Sequence, residues 1–180
     1  AAFAVFNPAV VVPAVNAGWR LTDAATICAA RDRGAIAQLE RILGAQPVGA
    51  ARARTLLQRA CEPLRPEGRP LFAGVLSQPM PSTDLGAAWR LADQLREFRG
   101  DSHTAAWISA GVDATEIGLL SELYWGLPMR RYSRPRAWSE AEFTAAHERL
   151  QQRGLVDEVG FTDAGRDLRE SIEVHTDEQK

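Results

Sequence analysis

Ser139-Glu140-Ala141-Glu142 opens and Arg153-Gly154-Leu155-Val156 closes the stretch on which the fold turns, and Phe161-Thr162-Asp163-Ala164-Gly165-Arg166 follows it. Ser139 and Glu142 have capping-box spacing, in which the hydroxyl takes the N3 amide and the carboxylate reaches back to the cap amide. Gly154 supplies the left-handed residue that ends a helix. The spacing therefore predicts a helix from Ser139 to Arg153. Leu155-Val156 and Val159-Gly160-Phe161 then read as two very short strands around Asp157-Glu158, and Thr162 caps a further helix. Helix, small hairpin, helix is the plan of a winged helix.

Leu150, Arg153, Gly154, Leu155 and Val156, followed by Thr162, Ala164, Gly165, Arg166 and Leu168, resemble the MarR-type transcriptional regulators over the last third of the chain. The resemblance implies a recognition helix ending near Arg153 and a wing before Thr162. Phe98-Arg99-Gly100-Asp101-Ser102-His103 and the run Glu116 to Pro128 look like a bacterial family with a MarR-like C-terminal region. That likeness implies a fold and an additional N-terminal segment ahead of Ala1, and it hands over no activity.

Working outward, Thr22 or Asp23 is expected to cap a helix to Leu43, with Ile27, Ile36, Leu39 and Ile42 on its inner face and Gly44 closing it. A second helix is expected from Val48 to Cys61, with Leu56 and Leu57 inward. Leu71 to Leu76 is an apolar run of undecided type, set between the Pro63–Arg69 loop and the break at Pro79 and Pro81. Asp84 to Phe98 reads as an amphipathic helix ended by Arg99-Gly100, after which Asp101-Ser102 caps a short helix to Gly111. Asp113 and Glu116 repeat capping-box spacing ahead of a helix to Trp125. The expected fold is mainly α: a helical body over residues 1–110 and a MarR-like winged-helix module with a very short β-wing over 111–180. Gly126 to Trp138 holds two prolines, so the first arm of an ordinary helix-turn-helix is not expected there.

The chain of 180 residues has a formal net charge of −2, split into +3 before Gly111 and −5 from it onward. An acidic winged-helix half is a poor footprint for DNA, because non-specific affinity comes from basic side chains on phosphates. Glu140, Glu142 and Glu148 on the recognition helix and Asp157-Glu158 at the wing add to that objection. Against it stand Arg130, Arg131, Arg134 and Arg136 with Tyr132 among them. They read either as a solvated loop paired with the helix carboxylates or as a grip for nucleic acid or a small anion.

Cys28 and Cys61 sit in apolar helical settings without metal-site spacing and read as reduced core residues of a cytoplasmic protein, with no metal or cofactor implied. Prolines 8 and 13 break the apolar start, so it suits neither a membrane span nor a signal peptide. Phe3, Val5 and Phe6 form an apolar edge that a missing piece or a partner chain would cover.

His103 is the most interesting ionisable residue. In the first turn of the expected helix it would be disfavoured as imidazolium, leaving a neutral base that Asp101 or Arg99 orients. Five tryptophans suit a pocket for an aromatic or apolar ligand, placed at Trp89, Arg99, His103, Trp107 and Tyr124. Ser102-His103 is no dyad, since neighbouring helical side chains diverge, and His147 and His175 read as exposed. Three functions stay open: a small-molecule-binding protein of regulator ancestry, a biosynthetic enzyme with His103 and Asp101 as acid and base, and a DNA-binding MarR-like regulator, which would need a homodimer.

Overall fold

The computed structural model describes residues 4–179. Phe3, expected at the apolar edge, lies outside them. The described residues form eight α-helices and one 3-10 turn: α1 (Pro8–Gly18), α2 (Ala24–Leu43), α3 (Ala50–Cys61), α4 (Pro70–Leu76), α5 (Asp84–Ser109), α6 (Ala114–Tyr124), the turn Arg134–Arg136, α7 (Glu140–Gln152) and α8 (Asp163–Glu178). Two compact units result, one of Val15–Asp101 and one of the residues up to Ala14 together with those from Ser102 onward.

Caps account for most of these boundaries. Asp23 accepts from the Thr26 amide at 2.7 Å and begins α2, which Gly44 ends at φ 86°. Full capping boxes open α6 (Asp113, Glu116) and α7 (Ser139, Glu142), and the Thr162 hydroxyl accepts from Gly165 N to start α8. Asn7 does the same for α1, its side chain accepting from Ala9 N at 3.0 Å, and Pro8 sits at the first helical position, where no amide is needed. Pro13 falls inside α1, so the expected break of the apolar start at that proline does not occur.

The unit containing Ser102 onward has its own core. Trp107, Ile117, Leu119, Leu120, Phe143, Leu150, Leu155, Val156 and Ile172 are all buried, with α6 packed against α7 and α8. Val156 and Phe161 make one antiparallel bridge where the two short strands were expected. Asp157 accepts from the amides of Val159 and Gly160 at 2.8 and 2.9 Å, so its carboxylate shapes the turn. Gly165 lets α8 start against this turn, since a Cβ there would lie 1.8 Å from the Leu155 carbonyl oxygen.

Two expectations in the other unit need correcting. No residue of α2 or α3 is buried: Ile27, Ile42, Leu43 and Leu56 are about half exposed or more, and Cys28 and Cys61 are half-buried rather than core residues. The undecided run Leu71 to Leu76 is helical, as α4. It explains the second correction, which is that α5 does not break at Arg99-Gly100. Asp101 turns its carboxylate to the α4 amides, accepting from Leu71 N at 3.2 Å and Phe72 N at 2.9 Å. It caps α4 instead of starting a new helix. Phe72 packs edge-on against Phe98, with centroids 5.3 Å apart.

Candidate functional site

The continuity of α5 alters the first candidate site. His103 lies far inside the helix, so the helix-terminus argument for a neutral imidazole falls away. Its Nδ1 is 3.1 Å from the Thr176 hydroxyl and 3.9 Å from Glu173, both on α8. Asp101 is committed to capping α4 and, two positions away on the helix, diverges from His103. Trp89 precedes His103 by fourteen residues, a rise of about 21 Å along α5. Trp89 is half-buried and has the Arg31 guanidinium 4.8 Å from its ring. Arg99 is half-buried at the end of the Val15–Asp101 unit. Trp107 is 6 % exposed within the core.

Tyr124 donates to Glu170 at 2.9 Å, and that hydrogen bond holds its phenol above the usual range. The buried Arg169 places its guanidinium 4.6 Å from the Tyr124 ring and pairs with Glu173 at 2.6 Å. Of the expected pocket, then, His103 and Tyr124 each meet α8 side chains, whereas Trp89 belongs elsewhere along the helix. His175 is exposed and His147 half-buried. Among the described residues no cluster of His, Cys, Asp or Glu has the makings of a metal site, and no helix is long and apolar enough to cross a membrane.

The arginine segment divides into two kinds of residue. Arg130 pairs with Glu140 and donates to Thr144 at 3.0 Å. Arg136 stacks its guanidinium 4.7 Å from the Tyr132 ring. Arg131 and Arg134 are exposed, and their side chains make no ion pair or hydrogen bond among the described residues. Only the turn Arg134–Arg136 is helical between α6 and α7, as the prolines required.

On α7 the exposed side chains include Glu140, Glu142, Thr144 and Glu148. Glu142 accepts from the Ser139 amide and hydroxyl, which hold its carboxyl below the ordinary range. Asn7 lies against the same carboxylate at 3.4 Å, and its amide donates to the Arg136 carbonyl at 2.9 Å. Trp138 donates to the Val5 carbonyl at 2.9 Å. The start of α7 is thus covered by residues 5–7. Arg149, in its last turn, is engaged by Asp113 and Glu116.

The Val15–Asp101 unit holds a further candidate, outside the residues singled out from the sequence. A groove of about 570 Å³ runs between α2 and residues 78–83. Ala25, Cys28, Ala29, Ile36 and Ala37 form one wall, and Pro79, Met80 and Pro81 the other. Small side chains along one helical stripe leave the space, and the two prolines keep the facing segment extended. Asp32 lines the groove and pairs with Arg90, which is 1 % exposed. A mainly apolar cleft of this volume suits a small molecule. The signal in the sequence is the recurrence of alanine at positions 25, 29 and 37 on the stripe that also carries Ile36.

Comparison with known proteins matches the model of a helix-turn-helix family over residues 1–180. No curated protein and no solved structure matches the chain.

Proposed function

The chain belongs to this helix-turn-helix family, and from that premise we propose a cytoplasmic, small-molecule-binding protein of transcription-regulator ancestry. Its ligand is apolar or aromatic and sits between α2 and residues 78–83. The order α6, arginine segment, α7, antiparallel bridge and α8 supports a MarR-like winged helix at the C-terminal end. Duplex reading by α7 is disfavoured. Its exposed face is carboxylate-rich, and its first turn is occupied by Asn7 and the Ser139 cap.

The groove is the observation that carries the ligand reading. It favours a ligand between α2 and residues 78–83 over one beside His103, whose imidazole meets Thr176 and Glu173. Residues 78–83 lead directly into α5, so a ligand that changes their position acts on a helix that continues to Ser109. The half-exposed apolar side chains of α2 and α3 support a second reading, in which Ile42, Leu43 and Leu56 pack on another copy of the chain.

Titration with the neutral fluorophore N-phenyl-1-naphthylamine tests the site. Saturable binding is expected, and an Ala29→Phe/Ala37→Phe variant that fills the groove should lose at least about tenfold in affinity with an unchanged circular-dichroism melt. Equal binding by the filled variant would remove the groove from consideration. Cys28 offers a second readout, because ligand should slow its labelling by a thiol reagent. Cys61, whose thiol burial pushes upward, serves as the internal control.

A further inference from the structure

We infer that residues 125–137 form a contact for single-stranded nucleic acid, a function that goes beyond the groove and does not depend on it. These thirteen residues contain four arginines and no carboxylate. Their shape is built with more care than a connector requires. Arg130 and Ala137 both adopt left-handed backbone, at φ 64° and 63°, a conformation unfavourable for residues with a β-carbon. Glu122 of α6, fully buried, secures the loop by accepting from Ser133 N and Oγ, each at 2.7 Å, and from the Arg130 amide at 2.5 Å. Gly118 allows the close approach, since a Cβ there would lie 2.9 Å from Arg136 Nη1 and 3.1 Å from Ser133 Cβ.

What this framework presents to solvent is a pair of cations beside a pair of rings. Arg130 is engaged by Glu140 and Arg136 by Tyr132, which leaves Arg131 and Arg134 facing outward. Trp125 and Tyr132 are 52 % and 44 % exposed and meet edge to face, with centroids 5.0 Å apart. Arginines that track phosphates and aromatic faces on which bases stack are the two parts of a single-strand contact.

The surroundings favour a polymer over a small anion and a single strand over a duplex. The α2 groove and three further cavities of about 610, 480 and 300 Å³ are lined by residues outside 125–137, whose exposed arginines and rings lie on an open surface. A duplex offers no base faces to Trp125 and Tyr132. Its second strand would also have to pass the α7 carboxylate Glu140, which borders the segment through Arg130. A single strand presents both phosphates and unstacked bases.

Fluorescence anisotropy of the whole chain with a labelled oligothymidylate of about twelve nucleotides, across a salt series, tests this. Binding that weakens with salt is expected, and Arg131→Ala/Arg134→Ala should cut affinity about tenfold and lower the log–log salt slope by about 1.4, two phosphate contacts at about 0.7 each. Trp125→Leu should weaken binding and leave that slope unchanged. The double variant should keep the parent's circular-dichroism melt, which shows that it is folded, and its binding of N-phenyl-1-naphthylamine should match the parent's, which separates this contact from the groove. Three results would overturn the inference: an arginine variant that binds like the parent, a duplex of equal length that binds at least as tightly, or displacement by inorganic polyphosphate as effective as by unlabelled oligothymidylate.

Discussion

The unit from Ser102 onward and the helices α2 and α3 achieve order in different ways. The first buries Leu119, Leu120, Phe143, Leu150 and Ile172 to 1 % exposure or less. The second pair buries no residue: α2 is held by its Asp23 cap and the Arg31–Asp93 and Arg90–Asp32 pairs, and α3 by Arg54–Asp84, with partial packing besides. A closed core fixes one arrangement of helices. A layer with half-exposed leucines and isoleucines retains surface for something else, whether a ligand in the α2 groove or another chain on Ile42 and Leu56.

The largest expected effect sets the two regions directly against each other. Leu150→Ala or Ile172→Ala should destabilise the chain by about 2–5 kcal/mol, whereas Ile42→Ala, at a 63 % exposed site, should cost less than about 0.5 kcal/mol in chemical denaturation of the dilute monomer. Similar losses at both sites would erase the contrast. Gly165→Ala comes next, at about 2–3 kcal/mol, because the new Cβ meets the Leu155 carbonyl and backbone must move. Its melting temperature should fall without any change in probe binding by the groove.

Asp101→Ala should cost about 1–2 kcal/mol by leaving the Leu71 and Phe72 amides without their acceptor. Faster amide exchange confined to α4 would identify the cause, and faster exchange at His103 without it would contradict the capping role. The smallest effect is a pH dependence in the α2 layer. Burial pushes the Asp93 carboxyl up, but hydrogen bonds from Arg96 and Arg31 outweigh it and hold the group below the ordinary range. A lowered folded-state value means its contribution is present above the unfolded carboxylate pKa of about 3.9 and is lost as pH falls through the folded value. The stability gap between the parent chain and Asp93→Asn should therefore shrink below about pH 4; a constant gap would mean that the ion pairs contribute nothing there.

The elements legible in the sequence were those governed by local chemistry. Ser139 with Glu142, Asp113 with Glu116, Asp23, Thr162 and the glycines at 44 and 154 act within one helical turn, so spacing alone located α2, α6, α7 and the start of α8. Asp101 misled because it has the form of a local cap but serves amides some thirty residues earlier, a use that only the packing of α4 on α5 reveals. The helix-start argument for a neutral His103 followed from it. Once Gly100 is read as a break, His103 becomes a helix start and its neighbours appear to converge. The α2 groove stayed hidden because alanines weigh little in a hydrophobic pattern, although their small volume is what creates the space. The arginine segment was legible as composition, but its division into engaged and exposed residues depends on Glu122 and Glu140.

The most direct measurement of the account is amide hydrogen exchange of the whole chain with and without saturating N-phenyl-1-naphthylamine, read by mass spectrometry at peptide resolution. Protection confined to residues 25–40 and 78–83 is the result that a ligand site in the α2 groove requires. Protection at residues 103–107 and 173–176, with the groove unchanged, would return the site to His103 and contradict the reading of this protein given above.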